Sequence, residues 1–145
     1  MLLPLHMLGI LVGIDFGLKR SGIALTDSDQ RIASPHCTLA SEQLMSWLVT
    51  LHQKTPLAGI VLGYPLSLNG EPTHITENVR LLKEAIEREL PGLSVQLQDE
   101  RYSSKRASSA IHQMRKKKLN RDKGLVDKVS AAIILQDYLN ARENS

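Results

Sequence analysis

The sequence predicts a single α/β domain built on a mixed five-stranded sheet, with three antiparallel strands first, parallel strands after them, and helices flanking the sheet. Two observations lead to this prediction. The first forty residues hold short apolar segments separated by turns, which is typical of an antiparallel meander. Beyond residue 40, segments with helical apolar spacing alternate with short apolar runs, which predicts parallel strands joined by helical crossovers.

The strands differ in how their apolar residues are arranged. The first, within LVGIDFG, is apolar almost throughout, as expected of a central strand covered on both faces. SGIALTD and RIASPHC complete the meander, with SDQ as a turn between them. AGIVLGYP predicts a buried strand that ends at Gly63 and Pro65. LSVQLQ alternates between apolar and polar residues, so we expect it near an edge of the sheet.

Four helices are expected between and after these strands. Ser41 is the predicted N-cap of the first, which carries Leu44, Leu48 and Leu51 at helical spacing. The second begins near Thr73 and carries an apolar stripe made of Ile75, Val79, Leu82, Ile86 and Leu90. Two helices, over 104–116 and 125–141, finish the chain.

Composition narrows the possible functions. The chain of 145 residues has a net charge of +3 and only five aromatic residues of the Trp, Tyr and Phe types, which argues against a base-stacking platform for single strands. A single cysteine, Cys37, cannot form an internal disulfide, so a reducing cytoplasmic setting is expected. We interpret Cys37 as a packing residue rather than a nucleophile.

The first eight residues are apolar but have no basic segment before them and are too few to span a bilayer. We expect residues 1–8 to form a poorly ordered leader and residues 9–145 to form the domain, with no membrane partner. Met7 is an alternative to Met1 as the natural start.

Acidic residues stand at the ends of three predicted elements. Asp15 follows the first strand, Asp99 and Glu100 follow the alternating strand, and Asp127 lies at the start of the last helix. Sites in parallel α/β sheets form beyond the carboxyl ends of the strands. Clustered carboxylates need a cation among them, and oxygen ligands suit Mg²⁺ or Mn²⁺. Simpler roles are a turn cap for Asp15, surface ion pairs with Arg101 or Arg106 for Asp99 and Glu100, and compensation of the helix dipole in the first turn for Asp127.

Alternation along the fifth strand leaves two candidates open for one of these acids. Asp99 would share a face with Leu93, Val95 and Leu97, whereas Glu100 would point the other way, and the strand has ended by then. The pattern alone therefore does not decide between them.

Basic residues lie close to these acids in the sequence or form a run of their own, RKKKLNRDK, at 115–123. A solvated loop is one interpretation of this run, and binding of nucleic-acid phosphates is the other. The candidate phosphate-binding residues are Lys19, Arg20, Arg101, Lys116, Lys117 and Lys118.

Four segments, GIDFGLKRSGIALTD, IVLGYPLSLNGEPTHITENV, DERYSS and LVDKVSAAIILQDYL, together resemble the YqgF/RuvX family of bacterial RNase H-like nucleases. The resemblance implies an RNase H-like fold and a cytoplasmic nuclease that matures the 5′ end of pre-16S rRNA or resolves Holliday junctions. It implies that the catalytic, metal-binding acids are Asp15, Glu100 and Asp127, with Asp99 either as the alternative to Glu100 or as a supporting partner of Arg101. Ser103 and Ser104 replace the family's more usual threonines and keep a hydroxyl that can cap the next helix or contact phosphate.

The resemblance favours a Mg²⁺- or Mn²⁺-dependent endonuclease acting on pre-rRNA or branched DNA, with the ribosome as a further partner. In this hypothesis Asp15 bridges two metal ions, and Glu100 and Asp127 hold one each. Two other classes stay open: a non-catalytic RNA-binding factor for ribosome assembly, and an ATP-binding module suggested by IDFGLKRSGIAL. The sequence does not decide between a monomer and a homodimer.

Overall fold

The structure is a computed structural model of the chain, and it describes residues 9–65, 71, 73–100, 113 and 123–143. Within these ranges the strands are β1 (Ile10–Asp15), β2 (Arg20–Thr26), β3 (Ala33–Ala40), β4 (Leu57–Tyr64) and β5 (Ser94–Asp99). The helices are α1 (Leu44–Lys54), α2 (Thr76–Glu89) and α3 (Lys123–Glu143), and a short 3-10 turn, Ser41–Gln43, precedes α1.

The strands form one sheet in the order β3-β2-β1-β4-β5. β1, β2 and β3 pair antiparallel, whereas β4 is parallel to β1 and β5 is parallel to β4. The predicted mixed five-stranded sheet is therefore confirmed. β1 lies at its centre with Val12 and Ile14 fully buried, and the alternating strand β5 lies at an edge, as its pattern indicates.

The two faces of the sheet are covered by different helices. On one face, Val12, Ile14 and Ile60 pack with buried residues of α1 and α2, among them Leu48 and Ile86. On the other, which we call the α3 face, Leu11, Ala24 and Val61 pack against the apolar stripe of α3, whose buried members are Ala131, Ala132, Ile134, Leu135 and Leu139. Burial on both faces explains why β1 and β4 are apolar along most of their length.

Close contact between α3 and the sheet depends on glycine. A Cβ atom at Gly13 would lie 2.7 Å from the Cβ atom of Leu135 and 3.1 Å from the carbonyl oxygen of Ala131. Since non-bonded carbon atoms pack at about 3.5–4.0 Å, any side chain at residue 13 would push the helix off the sheet.

The predicted N-cap role of Ser41 is wrong. α1 begins at Leu44, and its N-cap residue, Gln43, makes no side-chain cap hydrogen bond. The Ser41 hydroxyl instead donates to the carbonyl oxygen of Gly17 at 2.6 Å and lies 2.7 Å from the hydroxyl of Ser21. A long-range contact with the β1–β2 loop thus replaces the local helix cap.

Two helices begin at other positions than expected. α2 begins at Thr76, three residues beyond Thr73. The two residues are linked at the start of the helix: the Thr73 backbone N–H donates to the Thr76 hydroxyl, which itself donates to the carbonyl oxygen of Pro65. α3 is already helical at Lys123, the first of its described residues, and has no acidic residue in the turn that follows. The suggested dipole compensation by Asp127 in the first turn is therefore wrong, since Asp127 lies one turn further along.

Several predictions fall outside the described residues. They concern the leader at 1–8, the helix over 104–116 (of which Gln113 alone is described, as helical), most of the basic run, and the side chains of Arg101, Ser103, Ser104, Lys116, Lys117 and Lys118. None of the helices in the described ranges has the length and apolar character needed to cross a membrane.

Candidate functional site

Asp15 ends the central strand at the carboxyl end of the parallel part of the sheet. Leu11 packs with α3 and Gly13 touches it, so alternation along β1 places Asp15 on the α3 face as well. Its partner in the antiparallel pair with β2 is Gly22. The half-buried Asp15 thus lies at the carboxyl end of β1, on the α3 face of the sheet.

Asp127 lies on α3 where the backbone of this helix contacts Gly22, the β2 residue that pairs with Asp15. A Cβ atom at residue 22 would overlap the carbonyl group of Asp127 and would lie 2.8 Å from the backbone nitrogen of Lys128. The backbone of α3 therefore rests directly on the residue that pairs with Asp15. Only glycine permits this approach, because any larger residue would displace the helix by more than an ångström.

Glu100 reaches the α3 face from the other side of β1. Its Oε1 atom would be 3.0 Å from a Cβ atom at Gly63, which would also meet the Ile134 side chain of α3 at 2.8 Å. Gly63 follows Leu62, the residue of β4 that pairs with Ile14. Two glycines, one on each strand that flanks β1, thus leave room for Asp127 on one side and Glu100 on the other.

The structure separates Asp99 from Glu100. Asp99 is the last residue of β5, pairs with Tyr64 and alternates in phase with Val95 and Leu97, which pack on the face covered by α1 and α2. Glu100 lies on the α3 face, beside Gly63. Asp15, Glu100 and Asp127 are therefore brought to one end and one face of the sheet, and Asp99 is directed away from them.

A basic residue from the β1–β2 loop is already paired with one of these acids. Arg20 Nε lies 2.5 Å from Oδ2 of Asp127, and the two side chains are 40% and 19% exposed. Lys19, next to it, is exposed. Of the six candidate phosphate-binding residues, the structure describes these two: Arg20 contacts Asp127, and Lys19 precedes it in the exposed part of the loop.

The β1–β2 loop is held in place by Ser41. Besides its bond to Gly17, Ser41 donates its backbone N–H to the carbonyl oxygen of Lys19 at 2.9 Å. Its hydroxyl also contacts that of Ser21, which is fully buried. Sequence reasoning missed this function of Ser41 because a serine before a helix is so commonly its cap.

The donor atoms of the three acids, and the ion pair between Arg20 and Asp127, indicate whether the site suits a divalent cation. The three acids supply only carboxylate oxygens, the donors that Mg²⁺ and Mn²⁺ prefer. The guanidinium of Arg20 forms an ion pair with the Asp127 carboxylate, so this carboxylate already binds a positive charge. In the described part of the chain, no three His, Cys, Asp or Glu side chains are arranged as a ready metal-binding group. The donor chemistry fits, and the Asp127 carboxylate is engaged with Arg20.

Ser130 is a further residue that sequence reasoning missed. It lies one turn beyond Asp127 on α3 and is 2% exposed, yet its hydroxyl has no hydrogen-bond partner among the described residues. Buried polar groups without partners are uncommon in proteins and call for an explanation. In the sequence, the signal that could have pointed to Ser130 is its spacing of three residues from Asp127.

Cys37, by contrast, is no candidate for catalysis. It is half-buried in β3 and packs against the α1 and α2 side of the core. Burial raises the pKa of its thiol, with a smaller opposing effect from Lys128. The thiol therefore stays protonated near neutral pH, and the interpretation of Cys37 as a packing residue agrees with this environment.

Known protein families and solved structures include several that are similar to this chain. The family model described as "RuvX: Holliday junction resolvase" matches residues 9–141. A protein of Flavobacterium psychrophilum named "Putative pre-16S rRNA nuclease" is 38% identical over 133 residues, which cover 91% of this chain and 97% of the relative. A relative of the same name from Amoebophilus asiaticus is also 38% identical, with 92% and 96% covered.

Among solved structures, Thermus thermophilus RuvC in complex with a Holliday junction substrate has a similar fold, with a TM-score of 0.58 over 93% of this chain and 96% of that one. The sequence identity is 13%, so this likeness concerns the fold. It confirms the RNase H-like architecture that the sequence motifs imply. From the match over residues 9–141 and the relatives that cover nearly the whole chain, we conclude that this protein belongs to the RuvX family.

Proposed function

We propose that the protein is a metal-dependent nuclease that hydrolyses phosphodiester bonds in structured nucleic acid. The observation that carries this proposal is the placement of Asp15, Glu100 and Asp127 at one end of the sheet and on one face of it. Membership of the RuvX family supports the same activity.

In this proposal Asp15, Glu100 and Asp127 hold Mg²⁺ or Mn²⁺. When bound, the cation lowers the pKa of a water molecule and neutralises charge on the leaving oxygen. The three acids also give the site a negative charge, which repels phosphate unless a cation is bound. Lys19 and Arg20, on the adjacent loop, bind phosphates of the flanking nucleotides. Arg101, Lys116, Lys117 and Lys118 extend this phosphate-binding role in the proposal, with Asp99, Ser103 and Ser104 as supporting residues.

The first candidate substrate is the 5′ end of pre-16S rRNA. The names of the relatives with 38% identity support this choice. Such a substrate implies a cytoplasmic enzyme that meets the ribosome during its assembly. A single cysteine, and therefore no internal disulfide, agrees with that compartment.

Resolution of Holliday junctions is the second candidate, and the description of the matching family favours it. Symmetric cleavage of a four-way DNA junction needs two active sites related by a two-fold axis. A homodimer in solution would therefore support this substrate, whereas trimming of one RNA end requires only a monomer.

Cleavage assays with the purified chain test the proposal. A 16S rRNA precursor with its 5′ leader and a four-way DNA junction are each incubated with Mg²⁺, with Mn²⁺ or with EDTA. We expect metal-dependent cleavage of at least one substrate, and we expect Asp15→Asn to abolish it without unfolding the protein. Asp29→Asn is the matched control, because Asp29 is an exposed acid in the β2–β3 turn, at the opposite end of β2 from Gly22.

Two results would replace this proposal with another. Tight RNA binding without cleavage under any metal condition would indicate a non-catalytic assembly factor. Thermal stabilisation by ATP, without nuclease activity, would indicate a nucleotide-binding module instead.

A further inference from the structure

The ion pair between Arg20 and Asp127 joins a residue proposed to bind phosphate to a residue proposed to bind metal. Arg20 Nε is 2.5 Å from Asp127 Oδ2, and these residues are 107 positions apart in the chain. The carboxylate is largely shielded from water, at 19% side-chain exposure, so it needs a positive partner. The arginine is 40% exposed and therefore has room to leave.

The surroundings hold the two residues differently. The backbone of Asp127 belongs to α3 and packs directly on Gly22, two residues beyond Arg20 on β2, so its short side chain is carried by a helix seated on the sheet. Arg20 is the first residue of β2, directly after the exposed Leu18 and Lys19 of the loop. The carboxylate is thus the stationary member of the pair, and the long arginine side chain is the one that can move.

We propose that Arg20 is an exchangeable counter-ion: it neutralises Asp127 while no divalent cation is bound, and it is released to a substrate phosphate when one binds. This inference rests on the proposed nuclease function and adds to it an order of events. Cation and arginine compete for one carboxylate, so cation binding makes the guanidinium available to the nucleic acid. Arginine suits the exchange because its planar guanidinium can bond carboxylate and phosphate in the same manner.

Calorimetric titration of the full-length protein with Mn²⁺, without substrate, tests this competition. We expect Arg20→Gln to lower the dissociation constant for Mn²⁺ by roughly three- to tenfold, since a partly exposed ion pair competes only moderately. Arg20→Lys keeps the charge and should stay closer to the wild type. Without metal, Arg20→Gln should melt at a lower temperature than the wild type, and saturating Mn²⁺ should remove most of that difference.

Two controls separate exchange from simpler effects. Lys19→Gln removes the same charge from the same loop, but Lys19 forms no ion pair among the described residues, so its effect on Mn²⁺ affinity measures the general electrostatic change. Arg80→Gln breaks an exposed ion pair with Glu77, 3.1 Å long, on α2 and should leave Mn²⁺ affinity unchanged.

The outcomes are distinguishable from a failure of the proposed function. If Arg20→Gln gains no more Mn²⁺ affinity than Lys19→Gln, counter-ion exchange is wrong, while the nuclease proposal still stands on wild-type binding that is lost in Asp15→Asn. If neither the wild type nor Arg20→Gln binds Mn²⁺, both proposals are wrong. Affinity for a non-cleaved RNA, measured with and without Mn²⁺, gives a second readout: Mn²⁺ should strengthen RNA binding more in the wild type than in Arg20→Gln.

Discussion

The carboxylate of Glu100 rests against Gly63 of the neighbouring strand, where a Cβ atom would lie 3.0 Å from its Oε1. A side chain at residue 63 would therefore push the Glu100 carboxylate aside by a few tenths of an ångström. Because Gly63 also touches Ile134 of α3, the same small residue sets the distance between the helix and the sheet beside the proposed site.

Gly63→Ala should displace the Glu100 carboxylate. We therefore expect it to lower the rate of cleavage in addition to lowering stability. A methyl group at this position would overpack the α3 face, and we expect the free energy of unfolding to fall by about 1–3 kcal/mol. Nuclease activity should fall by roughly three- to tenfold, because the Glu100 carboxylate must shift by a few tenths of an ångström and catalysis depends on the exact position of such groups. Urea denaturation and cleavage rates measured on the same preparations check both expectations.

Gly59→Ala is the matched control for this change. Gly59 lies on the same strand and in phase with Gly63, and a Cβ atom there would meet Leu11 at 3.1 Å and the Ser94 carbonyl oxygen at 3.3 Å. It should lower stability to a similar extent while leaving cleavage intact. Equal loss of activity in both variants would mean that crowding of the sheet, and not the position of Glu100, is responsible.

Ser41→Ala should loosen the β1–β2 loop. The change removes the bond to the Gly17 carbonyl oxygen and leaves the fully buried Ser21 hydroxyl without this partner. A loss of about 1–3 kcal/mol in the free energy of unfolding is expected for a buried polar group left unpaired. Substrate binding should weaken as well, since the loop carries Lys19 and Arg20. Chemical denaturation and RNA-binding titrations measure the two effects.

Ser46→Ala provides the comparison for Ser41. Ser46 lies on the exposed side of α1, and its hydroxyl donates to the carbonyl oxygen of Gln43. Exposed substitutions of this kind change stability by about 0.5 kcal/mol or less. A Ser41→Ala protein as stable as Ser46→Ala would contradict the assigned role of Ser41.

Ser130→Ala should leave stability within about 0.5 kcal/mol of the wild type, because the hydroxyl that it removes has no partner to lose among the described residues. Cleavage at limiting Mn²⁺ should nevertheless fall, because this unpartnered hydroxyl lies one turn from Asp127 on α3. Ser21→Ala, which removes a buried and hydrogen-bonded hydroxyl, should be destabilising. A destabilisation of Ser130→Ala as large as that of Ser21→Ala would assign Ser130 a structural hydrogen bond instead.

Asp27→Asn should lower stability in a pH-dependent manner. The Asp27 carboxylate accepts the backbone N–H groups of Ile32 and Arg31 at 2.9 and 2.8 Å, and these bonds hold its pKa below its ordinary value. A lowered pKa in the folded state means that the stabilisation is complete above the ordinary pKa of aspartate and is lost as the pH falls through the lowered value.

The difference in stability between the wild type and Asp27→Asn should therefore be constant near neutral pH and should shrink as the pH falls below about 4, near the ordinary pKa of aspartate. Denaturation curves at pH 7, 5, 4 and 3 follow this change. Asp29→Asn, in the same turn, should show no such narrowing. A difference that persists unchanged at pH 3 would mean that the carboxylate charge does not hold the turn.

Local patterns in the sequence determined the strands, most of the helices and the end of each element at which the acids lie. This was possible because periodicity and turn residues act over a few positions. The position of β1 at the centre of the sheet could be read from its unbroken apolar run, and the edge position of β5 from its alternation. The family motifs added the choice of Asp15, Glu100 and Asp127.

Only the tertiary structure decided which partners these side chains have. Alternation could not separate Asp99 from Glu100, because the choice depends on where the chain leaves β5 and on the room that Gly63 provides in another strand. The pairing of Arg20 with Asp127 spans 107 positions and could not be predicted from either neighbourhood. The sequence likewise predicted that Ser41 caps a helix, whereas its hydroxyl in fact binds the Gly17 carbonyl oxygen of the β1–β2 loop. Contacts so distant in sequence form only when the sheet brings its strands together.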